Sequence, residues 1–202
     1  DWNTGYPLRG TLETLPVGNR EPDFLGGLNN NFAFKNWNFS FLFDFRKGGD
    51  VYNGTEHLLV NYGLAKVTEN RGNTISFTGM SLNPATEQYE LVTREVVADE
   101  RYYRDIYLNN SLFFIEDVNW LRLRSVSLTY DLPGSLLAKM PYMKGASITA
   151  TGTNLLLFTN YSGMDPETSA AGAGVIGSGS VGIDYAGVPA TAGFAIGLNV
   201  RF

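Results

Sequence analysis

The sequence contains no cysteine, and charged residues of both signs are scarce. The first absence excludes a disulfide framework and a thiolate metal site. Charged residues make up 17% of the chain, against about 25% in an average globular domain. The formal net charge is −5, and the scattered lysines and arginines form no basic patch, which disfavours a nucleic-acid partner.

Long apolar runs are missing as well. No stretch of about 18 consecutive apolar residues occurs, so no transmembrane helix is expected. The N-terminal segment shows neither the basic nor the apolar region of a signal peptide. A membrane role would therefore require a β-barrel, because only helices and closed barrels satisfy every backbone group in lipid.

Two segments show an alternation of apolar side chains with mostly polar or small ones, Leu42 being the exception, which predicts strands with one apolar face. The alternating apolar positions are Trp37, Phe39, Phe41, Phe43 and Phe45 in the first segment, and Phe194, Ile196, Leu198, Val200 and Phe202 in the second. Removing five aromatic side chains from water is worth roughly 20 kcal/mol. Lipid or a protein core must therefore cover this face, and both the wall of an outer-membrane barrel and a β-sandwich fit the pattern.

Five long strands are predicted, at about 24–34, 37–46, 120–131, 145–157 and 191–202. A two-residue turn between the first two strands keeps their aromatic side chains on one face. The third strand changes phase part-way, because its apolar positions move from Leu121 and Leu123 to Val126 and Leu128. One extra residue explains such a slip, so a β-bulge is predicted near Ser125.

The connections between these strands alternate short and long. The two long ones, about 47–119 and 158–190, are irregular; the first is expected to hold a short helix near 57–65 and short strands near 74–80 and 88–97. Outer-membrane barrels have this asymmetry, with short periplasmic turns and long outer loops. Five strands cannot close a barrel, so the chain is expected to be part of a larger one.

Four segments carry a resemblance to a known family: FLGGLNNNFAFKNWNFSFLFDFRKGGDVYNGT at 24–55, FIEDVNWLRLRSVSLTYDLP at 114–133, GTNLLLFTNYSGMDPE at 152–167 and GIDYAGVPATAGFAIGLNVRF at 182–202. In order and spacing they resemble the C-terminal region of SusC/RagA-family TonB-linked outer-membrane transporters.

The resemblance implies an all-β fold, an antiparallel transmembrane β-barrel segment within a 22-stranded barrel. Residues 1–202 would be the C-terminal part of the barrel domain, without the plug. It further implies a bacterial outer-membrane location, a SusD-like lipoprotein lid, energy from the TonB complex through the missing N-terminal region, and import of oligosaccharides or peptides. Outer-membrane lipid would cover the stripe Trp37 to Phe45. The alternating residues from Phe194 to Phe202 look like the signal that barrel-assembly machinery reads.

No enzyme activity, cofactor or metal is predicted. His57 is the only histidine, and neither zinc-ligand spacing nor a nucleophile elbow accompanies it, so a solvated loop residue is expected. Gly172, Gly174 and Gly177 match GxGxxG, but the acidic residue and the helix that a dinucleotide site needs do not follow. A secreted β-sandwich that binds glycans is the alternative function.

Several acidic and aromatic residues could contribute to a loop site. The acidic pairs are Glu116 with Asp117, Asp99 with Glu100, and Asp165 with Glu167. They are expected to be solvated loop charges rather than glycosidase carboxylates or a Ca²⁺ site. The tyrosines Tyr102, Tyr103, Tyr107, Tyr161 and Tyr185 are expected to pack in loops or in an interfacial belt.

Overall fold

The computed structural model describes residues 1–8, 15–139, 142–170 and 182–202. In chain order the strands are β1 (Phe24–Phe34), β2 (Trp37–Lys47), β3 (Asp50–Asn53), β4 (Thr74–Asn83), β5 (Gln88–Val97), β6 (Ile115–Asp117), β7 (Trp120–Asp131), β8 (Gly145–Thr159), β9 (Ile183–Asp184) and β10 (Gly193–Arg201). The α-helices are α1 (Gly54–Asn61) and α2 (Gly134–Leu137), and shorter helical turns cover Lys66–Asn70, Tyr102–Tyr107 and Ser111–Phe114. Among these residues no helix is both long enough and apolar enough to cross a membrane.

The long strands form one antiparallel sheet in the order β1–β2–β7–β8–β10. All five strands predicted from alternation are present, and the predicted all-β antiparallel architecture is confirmed. Strands β1 and β10 are the edges of this sheet, and within the described residues each pairs with a strand on one side only. A backbone edge of this length needs a further strand beside it if it lies in lipid.

The predicted bulge is confirmed, and the extra residue is Arg124. Leu42 of β2 pairs with Ser125, while the next residue, Phe43, pairs with Leu123. On the other side β8 is irregular at the same level, because Leu123 pairs with Leu156 and Ser125 with Thr153. The bulge restores the phase of β7, so its apolar side chains lie on one face along the whole strand.

The chain divides into two compact units, of which the first contains residues 1–18, 52–115 and 184–186. Its core is formed by Val60, Ala65, Ala98, Tyr103 and Phe114, and β4 and β5 form an antiparallel hairpin. The two short strands that the sequence predicts near 74–80 and 88–97 are present as β4 and β5. Residues 52–115 fold around a core of their own, which the irregular sequence of this stretch does not predict.

The predicted helix near 57–65 is shifted towards the N-terminus. Helix α1 runs from Gly54 to Asn61, and the side chain of Asn53 caps it by accepting a hydrogen bond from the Glu56 amide at 2.8 Å. An N-cap of this kind fixes where a helix begins, which explains the shift.

The second unit contains residues 19–51, 116–183 and 187–202, and includes the five-stranded sheet. It has a small core where β7 begins, formed by Val51, Val118, Trp120 and Tyr161. Most of the apolar side chains of the long strands lie outside this core. Which face of the sheet they occupy is therefore the main question for this unit.

Candidate membrane-facing surface and polar face

The strand register gathers the alternating apolar residues of all five long strands on one side of the sheet, termed the apolar face. Directly paired residues point to the same side, and Phe43 pairs with Leu28 on β1 and with Leu123 on β7. The same relation continues from Leu123 to Leu156 on β8, and from Ile148 to Leu198 on β10. The stripe Trp37 to Phe45 and the alternating residues Phe194 to Val200 thus belong to one continuous surface.

Aromatic rings pack against one another across this face. The rings of Trp37 and Tyr130 have centroids 4.5 Å apart, and those of Phe24 and Phe45 5.5 Å apart. These contacts are lateral, between neighbours on the same surface. They leave the outer side of the face uncovered: Phe194 and Ile196 keep 82% and 84% of their accessible surface.

The other side, termed the polar face, carries hydroxyl, amide and charged side chains. Thr129 and Thr149 are paired across β7 and β8, with hydroxyl oxygens 2.9 Å apart, and Ser127 and Thr151 repeat the arrangement at 3.3 Å. Such cross-strand hydroxyl pairs stabilise a sheet that is in contact with water.

Two arginines on β7 organise a charged cluster at one end of the polar face. Arg122 Nη2 donates to Asp165 Oδ1 at 2.6 Å. Arg124 Nε donates to Asp44 Oδ2 on β2, and its Nη2 donates to Glu167 Oε1, both at 2.8 Å. Arg122 Nε also lies 2.7 Å from Glu167 Oε2, a contact too bent for a good hydrogen bond and therefore mainly Coulombic. The bulge allows this arrangement, because the extra residue Arg124 adds a second arginine to the polar face.

The pair Arg122–Asp165 is the most deeply buried of these contacts, with both side chains 3% exposed. Asp165 uses both carboxylate oxygens, since Oδ1 also accepts from the Glu167 amide and Oδ2 from the Ala190 amide, each at 3.0 Å. Removing one partner of such a pair costs about 3–5 kcal/mol, because the other charge stays buried.

The expectation that the acidic pairs are solvated loop charges is wrong for Asp165, which is buried against Arg122. Glu167 bridges Arg122 and Arg124. Glu116 accepts from the Ser162 hydroxyl at 2.6 Å. For Asp165 and Glu167, the only signal in the sequence is the presence of two arginines on the polar side of β7. Arginines that leave water need carboxylate partners, so a search for such partners could have pointed to them.

His57 was expected to be solvated, and this is wrong. Its ring is half-buried, meets the ring of Phe114 edge-on at 4.8 Å, and places Nε2 3.2 Å from the Leu108 carbonyl oxygen. In the described part of the chain, no group of three or more His, Asp or Glu residues could hold a metal ion. Gly172, Gly174 and Gly177 lie outside the described residues.

Two of the five candidate tyrosines, Tyr103 and Tyr161, are buried in the two cores. The Tyr103 hydroxyl donates to the Val67 carbonyl at 2.9 Å. Asp99 accepts hydrogen bonds at Oδ1 from the Tyr102 amide and from the Tyr6 hydroxyl, each at 3.0 Å. The first of these bonds is the main reason why the pKa of Asp99 lies below its ordinary value.

Comparison with known proteins agrees with this geometry. No family model matches the chain. It is 31% identical over 193 residues to TonB-dependent receptor P3 of Formosa agariphila, an alignment that covers 95% of this chain and 18% of that protein. It is 26% identical over 180 residues to TonB-dependent receptor SusC of Bacteroides thetaiotaomicron, covering 89% of this chain and 15% of that protein.

Among solved structures, the RagAB peptide importer in its closed-closed state matches with a TM-score of 0.65 and 20% identity, over 97% of this chain and 19% of that one. This likeness shows the fold, a segment of a larger barrel whose sheet is open in this chain. The curated relatives are named as receptors, in agreement with the prediction that the chain is not an enzyme. The chain is thus a homologue of the SusC-type TonB-dependent receptors, and it spans less than a fifth of the length of the curated relatives that it matches.

Proposed function

We propose that this chain forms part of the wall and outer loops of a TonB-dependent importer in the bacterial outer membrane. The observation that carries the proposal is the division of one sheet into two faces, apolar on one side and polar on the other, across all five strands. A barrel wall between lipid and a water-filled interior requires this division. The homology to TonB-dependent receptors supports it.

Lipid accounts for the apolar face better than a second sheet does. In a β-sandwich the inner face of one sheet packs on the other about 10 Å away, and its side chains are buried. Here Phe32, Phe34, Phe158 and Leu198 all keep half or more of their surface exposed. The stripe Trp37 to Phe45 lies on β2, between β1 and β7, and is proposed to contact acyl chains.

The other parts of the proposal concern the whole receptor, its partners and its substrates. Residues 1–202 are proposed to belong to the C-terminal part of a barrel domain of 22 strands, with 47–119 and 158–190 facing the outside. A SusD-like surface lipoprotein is the proposed lid, and the TonB complex the source of energy, acting through a plug elsewhere in the receptor. Oligosaccharides or peptides are the proposed substrates. RagAB is a peptide importer, which supports import as the activity.

In this mechanism the wall is passive. The apolar face anchors the barrel in lipid, the Ser, Thr and Asn side chains of the polar face keep the interior hydrated, and the outer segments help to hold substrate beneath the lid. Movement of the plug, driven from the periplasm, then releases the substrate inward. The proposal requires no covalent chemistry from any residue of this chain.

Cell fractionation and uptake test the proposal on the full-length receptor in its native host. We expect the receptor in the outer-membrane fraction, soluble only in detergent, with electrophoretic mobility that changes on heating as folded barrels do. Growth on the nutrient that induces its gene should require both the receptor and TonB, while growth on glucose should require neither. A receptor that is soluble without detergent, or uptake that is unaffected by loss of TonB, would contradict the proposal.

A further inference from the structure

The chain that follows β8 folds back over the polar face. Residues 160–169, termed the strap, begin where Asn160 Oδ1 accepts from the Asn119 amide at 2.7 Å. Tyr161 then joins the core beside Trp120. Further along, the strap meets Arg122 through Asp165, and it meets Arg124 through Glu167. Successive strap residues thus contact positions progressively further into β7, so the strap runs along the strand from its start.

Asp165 joins three separate pieces of chain. Its carboxylate accepts from Arg122 on β7, from the Glu167 amide within the strap, and from the Ala190 amide on the segment that leads to β10. Its main-chain carbonyl accepts from the Thr168 hydroxyl at 2.8 Å.

We propose that Asp165 and Arg122 are positioning residues that act as a latch, and that this latch holds the strap against the polar face. Without the latch, we expect the strap to leave the sheet for water. The Glu167 bridge to Arg122 and Arg124 is the weaker second fastening, because the side chains of Glu167 and Arg124 are 30% and 31% exposed. Charged pairs at such exposure are screened by water.

The latch has a consequence for the polar face. Glu167 and Thr168 line a cavity of about 390 Å³ together with Leu25 and Arg46 of the neighbouring strands. The position of the strap therefore sets the shape of this cavity. That the cavity opens into a water-filled passage rests on the proposed function; the latch itself does not.

Hydrogen–deuterium exchange of the purified full-length receptor, followed by mass spectrometry, tests the latch. In Asp165→Asn the strap peptide should exchange at least tenfold faster, while peptides from β7 and β8 exchange as in the wild type. Asp131→Asn, at the exposed far end of β7, is the matched control and should change nothing. Unchanged strap exchange in Asp165→Asn would overturn the proposal.

A double-mutant cycle separates a latch from two independent structural residues. If Arg122 and Asp165 act on each other, the acceleration in the double variant Arg122→Gln/Asp165→Asn should be at least threefold smaller than the product of the single-variant accelerations. Accelerations that simply multiply would overturn the proposal. If Asp165→Asn does not assemble, Arg122→Lys takes its place, because it keeps a positive charge beside Asp165 but loses the fixed guanidinium geometry of the contact. The strap peptide should then exchange about threefold faster, and unchanged exchange would overturn the latch. Exchange can be measured on the receptor in detergent or on a soluble protein. A receptor that proves not to be a membrane protein would therefore contradict the proposed function without affecting the test of the latch.

Discussion

At the scale of single residues, neighbouring positions on a strand face different surroundings. Phe41 lies near the middle of β2 on the apolar face, and Ser40 beside it lies on the polar face, paired with Ser127. If lipid covers the apolar face, a charge at Phe41 must be held in hydrocarbon, whereas a charge at Ser40 remains in water. The two positions therefore form a matched pair for testing the proposed lipid contact.

We predict that Phe41→Arg lowers the free energy of unfolding of the full-length receptor in phospholipid vesicles by about 2–4 kcal/mol. Ser40→Arg should lower it by less than about 1 kcal/mol. Urea titration, read by heat-modifiable electrophoretic mobility, measures both. Equal effects of the two substitutions would show that the two faces do not differ in environment and would remove lipid as the cover of the stripe.

Asp99 gives a prediction for pH. Its pKa is lowered in the folded state, chiefly by the hydrogen bond from the Tyr102 amide. A carboxyl whose folded pKa is depressed stabilises the fold above its unfolded pKa of about 3.9. That contribution is lost as the pH falls through the lower folded value.

Amide exchange in residues 100–108, corrected for the intrinsic rate, should therefore accelerate as the pH is lowered from about 5 to about 3. Asp99→Asn should exchange faster than the wild type at pH 6 and should lack most of this acid-dependent step. Asp105→Asn, in the same helical turn, should keep the step. An identical pH profile in Asp99→Asn and the wild type would rule out this role for Asp99.

The sequence predicts which face each strand residue occupies, because alternation with a period of two is a local pattern. It does not predict the contact between Arg122 and Asp165, which are 43 positions apart. Their meeting depends on the path of the chain after β8, and nothing in the local pattern of residues 160–170 specifies that path. The same holds for His57, whose packing against Phe114 arises from tertiary folding.

At the scale of elements, the bulge at Arg124 is an inserted residue that leaves the two faces unchanged. The pairs Leu42–Ser125 and Phe43–Leu123 would be continuous without Arg124. In contrast, β1 and β2 pair without interruption over their whole length. Removing a residue from β2 would therefore move part of its aromatic stripe to the polar face.

We predict that a receptor lacking Arg124 still assembles, at half the wild-type amount or more, whereas a receptor lacking Ser40 does not reach the outer membrane. Quantitative immunoblots of outer-membrane fractions measure both. Arg124→Ala, which keeps the extra residue and removes its ion pairs, serves as the control and should assemble like the wild type. Complete loss of the receptor on deleting Arg124 would show that the bulge itself is required.

Strands were predictable to within a few residues, and helices less so. Helix α1 begins earlier than its apolar residues suggest, and the cap residue Asn53 followed by Glu56 is a sequence signal that could have located its start. The fold of the stretch from Tyr52 to Ile115 was not predictable, because its core joins residues as distant as Val60 and Phe114. No short-range period marks such contacts.

At the scale of the whole molecule, the resemblance assigns the alternating residues up to Phe202 a role in assembly. The Phe202 side chain is exposed, so it contributes little to packing within this chain. We therefore predict that Phe202→Ala reduces the amount of receptor in the outer membrane of cells severalfold, while refolding of the purified protein into vesicles proceeds at the wild-type rate. Arg201→Ala, on the opposite face, should affect neither measurement. A refolding defect as large as the cellular defect would point to stability instead of recognition.

The two unpartnered edges of the sheet have a practical consequence for anyone who expresses this chain alone. On their outer sides, strands β1 and β10 each present a row of amide and carbonyl groups that pair with no strand in the described part of the chain, flanked by phenylalanine, isoleucine and leucine. Such edges pair with whatever extended backbone they meet, and identical copies are the nearest supply. Isolated molecules should therefore stack into insoluble fibrils, whereas co-production with the remaining strands as a split receptor should rescue a folded, detergent-soluble pore.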